Sequence, residues 1–86
     1  RREAEERKKL HSRQKKIQIR INRLERKLLS LDEKREELEI LLQDPEVISD
    51  SARLVNLQKE HAYLCQEIQS YQQIWDELAE KMDTGS

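Results

Sequence analysis

The chain is poor in everything that shapes loops and pockets: one Gly, one Pro, one Cys, three aromatic residues and no Phe among 86. The single glycine, Gly85, stands near the end, so no Gly-rich loop can cradle a phosphate. The single cysteine, Cys65, cannot form an intrachain disulfide, which fits a reducing compartment. No apolar run approaches the ~18–20 residues of a membrane span. No signal-peptide pattern opens the sequence, and we expect a cytoplasmic protein without a membrane partner. Because it starts at Arg1 instead of Met, we expect a piece of a longer protein.

What is abundant is charge, 41% of residues, and good helix formers. Two runs of apolar residues step three-four-three-four on either side of Asp44-Pro45. The first is Leu10, (Gln14), Ile17, Ile21, Leu24, Leu28, Leu31, (Arg35), Leu38, Leu42. The second is Leu54, Leu57, (His61), Leu64, Ile68, Tyr71, Trp75, Leu78, Met82. Heptads of this kind put a narrow apolar seam on each helix, wide enough for one partner helix. The expected fold is all-α, an antiparallel two-helix coiled-coil hairpin over residues 3–82. Helix 1 should cover about 3–43, a turn 44–50, and helix 2 about 51–82, with a disordered tail at 83–86. Pro45 disfavours helical geometry at Asp44, and Asp44-Pro45-Glu46 reads as an N-cap followed by Pro at the first helical position, so a short turn of helix is expected over 45–48, with Ser49, Asp50 or Ser51 capping helix 2. Val47 and Ile48 are expected to fold back over Leu41 and Leu42.

Charge selects the antiparallel sense. A parallel dimer would align two basic first helices, whereas a hairpin closing near residue 46 sets Lys34 beside Glu60 and Lys27 beside Glu67. That closure pairs Ile21 with Tyr71, Ile17 with Trp75 and Leu10 with Met82. The hairpin is expected to be monomeric.

The net charge of −1 conceals a division: residues 1–27 carry +8, residues 28–86 carry −9. Within the basic part, Lys9, Arg13, Lys16, Arg20, Arg23 and Lys27 step four-three-four-three-four and share one helical flank, continued by Lys34. About 27 Å long from Lys9 to Lys27, this stripe could follow several phosphates of a nucleic-acid backbone, DNA or RNA. The competing reading is a solvated face paired with the second helix, which accounts for Lys27 and Lys34 but leaves Arg13 facing Lys81 and Arg20 facing Ile74. No aromatic residue interleaves the stripe, so backbone contact with little sequence choice is expected.

Tyr71, Trp75 and Met82 are expected to close the open end of the seam. Arg35 and His61 are polar breaks that can fix register. His61 and Cys65, four apart, offer two metal ligands without a third, a poor zinc site. The carboxylates Asp32, Glu33, Glu36, Glu37 and Glu39 lie on a helix without a cleft, so they read as solvated surface. No catalytic residue is assigned and no enzyme activity is expected.

Three segments carry a family likeness: the basic opening "REAEERKKL", the turn "LLQDPEV" and the closing "WDELAEKM". They resemble the C-terminal coiled-coil domain of ABC-F ATPases of the Uup-like group. There "L-x-D-P" marks the hairpin turn, matched by Leu42, Asp44 and Pro45. "W-x-E-L" marks the end of the second helix, matched by Trp75, Glu77 and Leu78. The chain has Val47-Ile48 where that family often has an aromatic residue. The resemblance implies a parent with two ATP-binding cassettes that acts on translating ribosomes, with this segment as a nucleic-acid-binding or ribosome-contacting arm. ATP would be the parent's cofactor, since none of the ATPase motifs lies in this chain. Two further readings are a protein-interaction or dimerisation hairpin without a nucleic-acid role, and a spacer that only positions the domains before it.

Overall fold

In a computed structural model the backbone is described for residues 2–84 and the side chains for residues 2–82. The fold is all-α. Helix α1 spans Arg2–Leu42, the short α2 spans Pro45–Ile48 and α3 spans Ser51–Thr84. The tail expected at 83–86 is thus still helical at 83 and 84, while 85 and 86 lie outside the described residues.

The break between α1 and α2 follows from Pro45, which lacks an N–H and whose ring keeps Asp44 extended, at φ −71° and ψ 124°. Asp44 then caps α2: its Oδ1 accepts from the Glu46 N–H at 3.0 Å. Asp50 does the same for α3. Its Oδ1 accepts from the Arg53 N–H at 3.3 Å, and its carbonyl takes the Leu54 N–H at 2.9 Å. Val47, 1% exposed, is the most deeply buried side chain of the described residues, whereas its neighbour Ile48 points into solvent.

Helix α3 lies alongside α1, and two contacts fix how. Trp75 Nε1 donates to Glu25 Oε1 at 3.2 Å, and His61 Nε2 lies 3.1 Å from Glu39 Oε1. Moving forward along α3 from 61 to 75 means moving backward along α1 from 39 to 25. The buried positions Ile21, Leu31, Leu38 and Leu78 all belong to the two seams.

The register differs from the expected one by a heptad. Glu25 is eight residues, about 12 Å, beyond the Ile17 that was paired with Trp75. The same shift brings Ile21 level with Leu78, and both are buried. Its cause is α2. A helical turn over 45–48 was expected, but closure near residue 46 allowed it no length along the axis; at the Glu25–Trp75 alignment α3 begins about seven residues, roughly 10 Å, past the end of α1. The gap is filled by α2, which touches both long helices. The molecule's length agrees: α1 alone measures about 60 Å, and the longest dimension is 71 Å against 14 Å in each cross-direction. At the opposite end the first turns of α1 run on past α3, and Leu10 is 43% exposed instead of covered by Met82.

Candidate nucleic-acid interface

All six stripe residues, Lys9, Arg13, Lys16, Arg20, Arg23 and Lys27, are exposed on α1. Because α1 has no Pro or Gly, its 3.6-residue period holds them on one flank. Lys9 belongs to the stretch of α1 that extends past α3. Four of the six, Arg13, Lys16, Arg20 and Arg23, line one shallow depression with Ile17 and Ile19. Arg20 and Arg23 also border a second depression floored by Leu24, Ile74 and Leu78. Arg20 therefore stands beside Ile74, an uncharged neighbour. Lys34, further on, shares a depression with Lys59, Glu60, Tyr63 and Leu64, so its surroundings mix both signs.

Tyr63 is a residue the sequence reading overlooked. It is 62% exposed and sits beside Lys34 on the same side of the rod. The Glu67 carboxylate pushes its phenol above the ordinary tyrosine range, by charge first and by hydrogen bonding second, with smaller contributions from desolvation and Tyr71. The signal was available, since Tyr63 immediately precedes the seam residue Leu64 and such a position leaves the seam.

A second cluster joins the polar breaks in the two seams. Arg35 pairs with Asp32, and its Nε lies 3.8 Å from Glu39 Oε1. Glu39 reaches across to His61, whose Nδ1 is 3.9 Å from Cys65 Sγ. The Arg35 Nε is buried with no acceptor at hydrogen-bond distance, so Glu39 serves it through charge alone. Glu39 thus ties Arg35 and His61 together, which neither heptad pattern revealed. Among the described residues no group of three or more His, Cys, Asp or Glu side chains could hold a metal ion. Nor is any helix among them long and apolar enough to cross a membrane.

The family model described as the ABC transporter C-terminal domain matches residues 9–80, from the first stripe lysine through most of α3. The chain belongs to that family. No solved structure matches it. In this ABC transporter C-terminal domain, the matched region includes the whole stripe, α2 with its capping Asp44, and the Glu25–Trp75 contact.

Proposed function

We propose that this domain is an antiparallel coiled-coil hairpin at the C-terminus of an ABC-F type ATPase, and that it binds nucleic acid through the stripe. Arg13, Lys16, Arg20 and Arg23 carry the contact, assisted by Lys9 and Lys27. The target is the phosphate backbone of DNA or ribosomal RNA, reached in the cytoplasm and, through the parent protein, on the ribosome. The observation that carries this reading is the depression lined by four cationic side chains and two isoleucines, with no carboxylate among them. The family match supports the ABC part of the proposal, and the "L-x-D-P" and "W-x-E-L" segments support the ABC-F part.

Binding of this kind proceeds by counterion release. Each phosphate neutralised frees condensed cations, so affinity falls steeply with salt, with a log–log slope of about −3.6 for four contacts on duplex DNA. The hairpin itself hydrolyses nothing; it holds a polyanion while chemistry occurs in the cassettes of the parent.

The test is a gel shift with duplex DNA and with a ribosomal RNA fragment. Reversing Arg13, Lys16, Arg20 and Arg23 to Glu should abolish the shift on at least one of them while circular dichroism stays helical. Unchanged binding by the reversed variant would show that the stripe is the wrong surface.

A further inference from the structure

The face of α1 directly opposite its seam carries a second pattern. Its central row, every seventh residue, reads Ile19, Arg26, Glu33, Ile40. Read backward against itself, this row matches: Ile19 meets Ile40, and Arg26 meets Glu33. Ile19 and Ile40 are 44% and 70% exposed, Arg26 and Glu33 are exposed, and Leu29 beside them is 62% exposed. Scattered exposed apolar residues are ordinary, and these three stand about 15 Å apart along the helix; what marks the face is that its charges complement themselves when it is read backward.

We propose that this face pairs with the same face of a second copy of the chain, antiparallel and about a two-fold axis near Leu29. Such an interface is isologous, so each favourable contact occurs twice and the assembly closes as a dimer. With Arg26 opposite the second copy's Glu33, Leu29 falls opposite its own equivalent. On the adjoining row Arg23 falls opposite the second copy's Glu37. A parallel arrangement would oppose Arg26 to Arg26 and Glu33 to Glu33, and is excluded by repulsion. The division of charge acts in the same direction, because the +8 segment of each copy then overlies part of the −9 segment of the other. The second copy is favoured over an unrelated helix because the pattern complements itself.

This inference does not rest on nucleic-acid binding. It shares Arg23 and Ile19 with the depression proposed to bind nucleic acid, while Arg13 and Arg20 lie on the flank nearer the seam and stay outside the pairing. The experiment is sedimentation equilibrium of the whole chain over a wide concentration range, with circular dichroism alongside. The wild type should show a reversible monomer–dimer equilibrium. Arg26→Glu and Glu33→Arg should each weaken it by about tenfold or more, since each places like charges opposite one another twice. The double variant, Arg26→Glu with Glu33→Arg, restores opposite charges and should recover the wild-type constant within a few-fold. A wild type that stays monomeric throughout overturns the proposal. So does a double variant as weak as the single ones. Because Arg26 and Glu33 lie outside the stripe, a gel shift with the same variants separates failure of this proposal from failure of the nucleic-acid reading.

Discussion

The indole N–H of Trp75 donates to the carboxylate of Glu25 across 3.2 Å, joining residues fifty positions apart. The seam alone could not select this pairing. A heptad repeat looks the same after every seven-residue slip, so the apolar layers of one register are nearly interchangeable with those of the next. Specific polar contacts, Glu25 to Trp75 and Glu39 to His61, mark one alignment and are lost in the neighbouring one.

Glu25→Ala should therefore destabilise the fold by about 0.5–1.5 kcal/mol, the usual net worth of one hydrogen bond. Urea unfolding followed by the emission of Trp75, the only tryptophan, reads this directly. A midpoint identical to wild type would mean the contact contributes nothing in solution.

The register also predicts a contrast between two seam residues of α1. Ile21 is 6% exposed, and Ile21→Ala should cost about 2–4 kcal/mol through lost burial and the cavity left behind. Leu10 lies past the end of α3, so Leu10→Ala should cost less than about 0.5 kcal/mol. If both cost the same, α3 reaches further along α1 than described. Thermal unfolding by circular dichroism gives the comparison.

At the turn, Asp44→Ala and Asp50→Ala each remove a capping carboxylate and should each lower stability by about 1 kcal/mol. Asn at either position retains the acceptor oxygen and should recover most of the loss. Chemical denaturation of the four variants tests the pair of caps, and an Asn variant as weak as Ala would rule capping out as the cause.

The Tyr63 phenol should titrate above an ordinary tyrosine because Glu67 opposes its ionisation. In a Tyr71→Phe background, Glu67→Gln should move its ultraviolet titration to lower pH. The sign for stability follows. A folded-state value above the unfolded one favours the fold while the phenol is protonated, and that contribution disappears as pH rises through the tyrosine titration. A titration unmoved by Glu67→Gln would remove Glu67 as the cause.

Much of this architecture is legible in the residues. Spacing alone identified both seams, and Pro45 with Asp44 located the break between α1 and α2. The stripe from Lys9 to Lys27 is likewise read from spacing, because a regular helix converts a four-three step into one flank. The helical turn at 45–48 was readable from Asp44-Pro45-Glu46, but the register was not, since it depends on the axial length that turn puts between α1 and α3, and the heptads are blind to that length. Tyr63 was missed for a related reason. Its exposure was readable from its place beside Leu64, but its neighbour Lys34 comes from the other long helix, so no stretch of sequence displays the two together.

The 71 Å length of the molecule also determines how far apart its charges end up in space. Residues 68–84, with a net −3, lie toward the basic end, where residues 2–27 carry +7, leaving +4 there, while residues 28–67 leave −6 toward the turn. The molecule is therefore an electric dipole whose poles lie tens of ångströms apart along its own long axis. In the field of a polyanion such a body feels a torque before it feels a contact, and it swings to approach with α1's leading turns forward and Pro45 trailing.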